Sequence, residues 1–207
     1  MRRVLDLFCC QGGAGKGYAD AGFEVVGVDI EPQPKYPFPF IQADALQMLR
    51  DASFVAGFDA IHASPPCQRY SLTQRIQDNS HPDLVDPCRE LLQASGLPWV
   101  IENVEGAPLL DPVMLCGAMF GLRTYRHRLF EASFSIDVPE HPQHAAPVRK
   151  MGRPRQPGEF AHYVGNFSGV QEAREDMEMP WASRDGLREA IPPAYTRLIG
   201  KQLKELL

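Results

Sequence analysis

Apolar and polar residues fall into blocks along the first hundred positions, and the period of the pattern switches between blocks. Val4 to Phe8 is an apolar, β-prone run that stops at the glycine-rich Gln11-Gly12-Gly13-Ala14-Gly15, after which Lys16 to Ala21 can form a short helix. Gly22-Phe23 leads into Glu24-Val25-Val26-Gly27-Val28-Asp29, a second strand that ends in an acid. Further strands are expected at Phe38 to Gln42, Phe58 to His62 and Pro98 to Glu102, with helices at Asp44 to Asp51 and Asp83 to Ser95. Strands that alternate with helices predict an α/β fold with a doubly wound, mainly parallel sheet.

The pattern changes after Asn103. Val113 to Cys116 and Arg128 to Phe134 read as strands with no long helix between them, which suits an antiparallel pair at the sheet edge. Val138 to Gly158 is rich in Pro, His and Arg and has no apolar period, so a loop is expected there. In the final stretch, Ala194 to Leu207, the residues Tyr195, Leu198, Ile199, Gln202, Leu203 and Leu206 keep a helical rhythm. No internal repeat interrupts this order, and 207 residues are enough for one domain with a sizeable core but cramped for two.

Charge and cysteine content narrow the classes. The opening apolar run is too short for a secretory signal or a membrane span, so a cytoplasmic protein with no membrane partner is expected. Cys9, Cys10, Cys67, Cys88 and Cys116 form an odd set without C-x-x-C spacing, which suggests neither a disulfide framework nor a zinc ribbon and points to reduced thiols. A net charge of -5 argues against a surface coated in positive potential, so any nucleic-acid contact must be local. One segment meets that condition: Arg123, Arg126, Arg128, Arg149, Lys150, Arg153 and Arg155 face few acids, with His127, His141 and His144 among them. Taken alone, it reads as a solvated basic loop.

Three motifs carry candidate chemistry. The glycine turn after the first strand lets backbone approach a ligand at a helix start, and Asp29 at the end of the next strand can accept bonds from ribose hydroxyls. Asp44 adds a second acid after the third strand. Ser64-Pro65-Pro66-Cys67-Gln68 follows the fourth strand, and its prolines fix one cysteine at the mouth of the sheet. The ordinary fate of a free cysteine, a small buried hydrophobe, suits Cys88 and Cys116 better than Cys67. Finally, Trp99-Val100-Ile101-Glu102-Asn103-Val104 ends an apolar strand in an acid and an amide, so a parallel sheet brings Glu102 to the same edge as Cys67.

Asp6-Leu7-Phe8 with Gly12-Gly13, then Pro66-Cys67-Gln68, Glu102-Asn103-Val104 and Arg126-His127-Arg128, in this order, resemble the DNA cytosine-5 methyltransferase family. The resemblance covers roughly the first two thirds of the chain, and Ala190-Ile191-Pro192-Pro193-Ala194-Tyr195 is similar to the family's last motif, which folds back beside the cofactor. It implies a fold of the S-adenosylmethionine-dependent methyltransferase type, with that cofactor, no metal, and DNA as partner. Phe8, Gly12 and Gly13 would border the cofactor, Asp29 hold its ribose, Ile30 cover the adenine, and Asp44 with Ala45 meet the adenine amino group. Pro66 would separate the cofactor from the target base. Cys67 would attack carbon 6 of cytosine while Glu102 binds the ring and supplies a proton, and Arg126 and Arg128 would hold the base carbonyl and a phosphate.

The chain departs from the family pattern at Cys10, where a glycine is usual, and at Thr124, where a glutamine is usual. Only roughly sixty residues separate Arg128 from Pro192, so the large target-recognition domain is expected to be reduced to a substrate-facing loop at 138–158 within a single catalytic domain, 1–207. Base flipping is normally supported by contacts around the gap. A chain without that domain calls for single-stranded DNA, low sequence specificity, an accessory partner or a homodimer. Compact members of this kind are associated with bacterial viruses. Other readings of the same residues are action on RNA or a free cytosine nucleotide, and a non-catalytic cofactor-binding accessory protein. A nicotinamide-dependent oxidoreductase fits less well, since the turn lacks G-x-G-x-x-G spacing.

Overall fold

A computed structural model describes residues 1–66, 83–149, 153 and 155–207. Seven strands, β1 (Arg3–Leu7), β2 (Glu24–Asp29), β3 (Phe40–Gln42), β4 (Ala60–Ala63), β5 (Trp99–Asn103), β6 (Val113–Leu115) and β7 (Arg128–Ala132), form one sheet in the order β3-β2-β1-β4-β5-β7-β6. The first five run parallel, whereas β7 lies antiparallel between β5 and β6. This is the doubly wound sheet and antiparallel edge pair that the sequence pattern predicts, with the further detail that β7 inserts between its neighbours.

β1 shows why these strands read as unbroken apolar runs. Val4 joins a cluster with Tyr18, Val25, Val100, Phe130, Tyr195, Ile199 and Leu203, while Leu5 and Leu7 join Val28, Leu49, Ile61, Leu92 and Ile101 on the opposite face. A strand covered on both faces has no solvent side to keep polar. Helices α1 (Gly13–Asp20) and α7 (Pro193–Leu206) supply the first cover, and α2 (Ala45–Arg50) and α4 (Val85–Ser95) the second. A third cluster, built from Ala161, Tyr163, Phe167, Ala173, Met177, Met179, Ala182 and Leu187, is organised by α5 (Val170–Asp176) and α6 (Arg184–Glu189).

Short helices escape the sequence pattern because capping, rather than apolar period, defines them. Asp51 accepts the amides of Ser53 and Phe54 to start α3 (Ala52–Val55), and the Ser183 hydroxyl accepts the Gly186 amide to start α6. Among the described residues of 138–158 there is no helix or strand, and an isolated bridge joins Val148 to Phe160. No helix of the described residues is long and apolar enough to cross a membrane.

α1 begins at Gly13, earlier than the expected Lys16, because Gly12 turns the chain in the left-handed region at φ 80° and the following glycines admit α7 at close range. A Cβ on Gly13 would overlap the Ile191 carbonyl, and one on Gly17 would overlap the Pro193 carbonyl and the Thr196 hydroxyl. That hydroxyl donates to the Ala14 carbonyl at 2.7 Å. Helix propensity alone makes Gly→Ala stabilising by roughly 0.5–1 kcal/mol. Because the contact at Gly17 has no room for a methyl group, Gly17→Ala is expected to destabilise the fold by about 1–3 kcal/mol, read from urea unfolding. A stabilised variant would refute the close packing of α1 on α7.

Candidate active site

The parallel strands deliver their carboxyl ends to one edge, and the sheet order reverses direction between β1 and β4, where ligands of such sheets bind. The chain leaving β1 is tightly coiled: Phe8 and Cys10 take φ values of 57° and 45°, ahead of Gly12 at 80°. Asp29, at the end of β2, holds this turn in place. Its Oδ2 accepts the Cys10 amide at 2.9 Å and its Oδ1 accepts the Glu31 amide at 3.0 Å. Ile30 beside it is 63% exposed, unusual for an isoleucine among ordered loops. Asp44 caps α2 by accepting the Gln47 amide at 3.0 Å, and Ala45 is buried beneath it. The structure thus gathers Phe8, Gly12, Asp29, Ile30 and Asp44 at one edge, while the bare Cα of Gly13 is turned toward Ile191.

Asp6, in the middle of β1, is 1% exposed and accepts the Tyr36 hydroxyl at 2.9 Å. Burial pushes its carboxyl up to about 7, against the Tyr36 and Gly15 hydrogen bonds, and the nearby Asp29 charge adds to the rise. A Cβ on Gly15 would come within 2.7 Å of the Asp6 carboxyl, so this glycine leaves room for protein groups under the turn. The native state therefore holds a proton on Asp6 that the unfolded chain, titrating near the ordinary 3.8, releases. The resulting stabilisation is complete below about 4 and declines as pH rises toward about 7. Asp6→Asn is expected to flatten the stability profile over that window, measured by urea unfolding at successive pH values. An unchanged slope would place the titrating group elsewhere.

The other half of the edge centres on Glu102. Buried at the end of β5, its carboxyl is raised above the ordinary range chiefly by desolvation, and pulled back by Arg128, a bond from the Ser64 hydroxyl, and Arg126. Arg128 Nε lies 3.1 Å from Glu102 Oε1. Ser64 in turn lies 3.0 Å from His62 Nε2, whose Nδ1 is 3.1 Å from the Tyr18 hydroxyl. Burial drops His62 to about 3, so it is neutral, and a Ser64 hydroxyl that donates to Glu102 assigns it the Nε2–H tautomer. Tyr18, His62 and Ser64 then form one chain of donors that ends on the Glu102 carboxyl at the edge. Asn103 completes the link to the proline turn, since its Nδ2 donates to the Pro65 carbonyl at 2.9 Å.

Pro65 is buried and Pro66 exposed where the turn leaves β4. Cys67 lies outside the described residues. Arg126 differs from Arg128 in its surroundings. Its backbone sits at φ 33°, and its guanidinium donates to the carbonyls of Ala190 at 2.7 Å, Arg188 at 2.7 Å and Tyr163 at 3.2 Å. These bonds tie it to the segment before α7, while its charge still reaches Glu102. Cys9, Cys10, Cys88 and Cys116 are free thiols, and burial pushes Cys10 and Cys88 up to about 12. Sequence reasoning did not single out Tyr18, Tyr36, His62 or Ser64 as partners, although Ser64 and His62 adjoin the proline turn.

The basic segment also resolves differently from its sequence. Arg149 pairs with Glu172 at 2.6 Å, Arg155 with Glu172 at 2.9 Å and with Asp176, and Arg153 with Glu159 at 2.8 Å. Lys150 lies outside the described residues. These arginines fasten the segment to α5 and to itself instead of presenting a row of charges to phosphates. Removing Arg155 leaves Glu172 with Arg149 but takes the cation from the buried Asp176, which costs about 3–5 kcal/mol for a buried pair. Arg155→Ala is accordingly expected to lower the melting temperature sharply and to leave the salt slope of nucleic-acid binding unchanged. A stable variant with a shallower slope would instead make Arg155 a phosphate contact.

Solved structures match the fold over the whole length of the chain. A DNA modification methyltransferase encoded within an E. coli prophage aligns with a TM-score of 0.70 at 16% identity, covering 100% of this chain and 99% of that one. The chain has a methyltransferase fold. Spodoptera frugiperda DNMT2 aligns with a TM-score of 0.67 at 12% identity over 99% and 100% of the two chains, and the S. pombe Dnmt2 methyltransferase with 0.64 at 14% over 99% of each. No family model and no curated protein matches the sequence.

Proposed function

We propose that this chain is a compact DNA cytosine-5 methyltransferase that uses S-adenosylmethionine and Cys67. The observation that carries the reading is the environment of Glu102: a buried carboxyl with a raised pKa, oriented by Ser64 and Arg128, next to the Asn103 side chain that grips the proline turn before Cys67. A group that must deliver a proton needs a pKa lifted toward the working pH.

The cofactor side fits an adenosine moiety. At the carboxyl edge, beside the left-handed turn at Phe8 to Gly12, the exposed apolar Ile30 follows Asp29 at the end of β2, and Asp44 caps α2 after β3. When bound, S-adenosylmethionine supplies an electrophilic methyl group. Cys67, as thiolate, attacks carbon 6 of cytosine, and Glu102 gives its proton to the ring nitrogen as negative charge builds there. Carbon 5, now nucleophilic, takes the methyl group; a base removes the carbon 5 proton as the carbon–sulfur bond breaks and Cys67 leaves as thiolate, and Glu102 takes back the ring-nitrogen proton. The products are 5-methylcytosine and S-adenosylhomocysteine. Arg128 keeps the Glu102 carboxyl oriented, and Arg126 positions the strand entry from which Arg128 projects. Residues 138–158 stand in for a target-recognition domain.

DNA carrying 5-fluorocytosine, which cannot lose its carbon 5 substituent as a proton, should trap the wild-type protein covalently in the presence of cofactor. Cys67→Ser should abolish trapping. Equal trapping by that variant, or none by the wild type on duplex and single-stranded DNA alike, would overturn the reading.

A further inference from the structure

Four side chains that the proposed reaction does not use converge beside Arg126-His127-Arg128. Cys116 follows β6, His127 precedes β7, and His141 and His144 belong to the segment without regular structure. His127 Nε2 lies 3.3 Å from His144 Nε2 and 3.3 Å from His141 Nε2, and Cys116 Sγ lies 3.4 Å from His144 Nε2. All four donor atoms are within 4.8 Å of one another.

The three short separations match edges of a coordination tetrahedron, and the 4.8 Å limit on the rest is within reach of small side-chain rotations. With Zn–N of about 2.0–2.1 Å and Zn–S of about 2.3 Å, neighbouring ligand atoms in a tetrahedral site stand about 3.4–3.6 Å apart. Hydrogen bonding accounts for the cluster less well. His127 Nε2 faces two other Nε2 atoms, and one N–H can serve only one of them. Its Nδ1 lies 3.4 Å from Glu105 Oε2, which favours the proton on Nδ1 and turns the Nε2 lone pair into the cluster. A carboxylate behind a ligating imidazole is a usual outer support of zinc sites. His144 is held as well: the Tyr125 ring stacks on it with centroids 3.6 Å apart, and the Tyr125 hydroxyl donates to the Ala146 carbonyl at 2.7 Å.

We propose that Cys116, His127, His141 and His144 form a zinc site that clips the 138–158 segment to the entry of β7. Four protein ligands close the tetrahedron, leaving no position for water or substrate, so the ion is structural. On binding, the Cys116 thiol releases its proton to solvent and the three imidazoles ligate in their neutral form. The clip ties down the stretch around His141 and His144, which has no helix or strand among the described residues, next to Arg128 and hence Glu102.

The test uses the full chain without a histidine tag, loaded with zinc and then dialysed. Elemental analysis should give close to one zinc per chain, and the double variant His141→Ala/His144→Ala, which alters two exposed side chains, should lose it. Cobalt(II) loading of the wild type should show a tetrahedral ligand-field spectrum with a thiolate charge-transfer band that Cys116→Ser removes. Zinc well below one per chain in the wild type, or a full equivalent retained by the double variant, would overturn the proposal. Neither readout depends on methyl transfer, so the outcome is independent of the proposed reaction.

Discussion

Residues 190–196 touch both halves of the candidate site, and that double contact is the constraint on which the rest depends. On one side, the Ile191 and Pro193 carbonyls press against glycines of α1, and the Thr196 hydroxyl bonds the Ala14 carbonyl. On the other, the Ala190 carbonyl accepts from Arg126, and the Tyr195 hydroxyl donates to the Arg126 carbonyl at 2.8 Å. The turn that would face a cofactor and the arginine strand that faces the Glu102 side are therefore set relative to each other through one short stretch. Three of the glycines near the turn are needed as much to receive this stretch and the Asp6 carboxyl as to approach a ligand.

The polar groups of the site illustrate how burial and pairing are balanced. Glu102 sits where desolvation favours its neutral form, yet two arginines and a serine hydroxyl favour its charged form. Desolvation outweighs the three partners, so its carboxyl stays above the ordinary range. Asp6 has a single hydroxyl and one amide to offset complete burial, and its pKa rises further, to about 7. His62 lacks any anion and is simply neutral. Differences in partners, not in depth, separate the three.

Much of this was legible in the sequence. The apolar runs located all seven strands to within a few residues, the rhythm from Tyr195 to Leu206 located α7, and the acids Asp29 and Asp44 fell at the ends and caps where their positions suggested. The meaning of the basic segment was not legible. Arg149 and Arg155 look unopposed in sequence because their partners, Glu172 and Asp176, lie on α5, well beyond the basic segment itself. The convergence of Cys116, His127, His141 and His144 was hidden for the same reason. Its one local signal is the pair His141 and His144, three apart, while the spacing of the other two follows from how β7 enters the sheet. Arg126 and Arg128 read as equivalent, yet a left-handed backbone at Arg126 gives them different neighbours.

The contact between α1 and α7 also orders events in time. Ala14 and Thr196 are 182 residues apart, so their hydrogen bond closes almost the whole chain into a loop, and the entropy of that closure must be met before the contact rewards it. During synthesis, β1 and the glycine turn emerge well before α7 but find their cover only after α7 has been made. A nascent chain can build the parallel half of the sheet, with the face that α7 covers still open to solvent. The glycine turn is thus translated well before the helix that packs against it, and its close contacts with residues 190–196 form only when α7 docks.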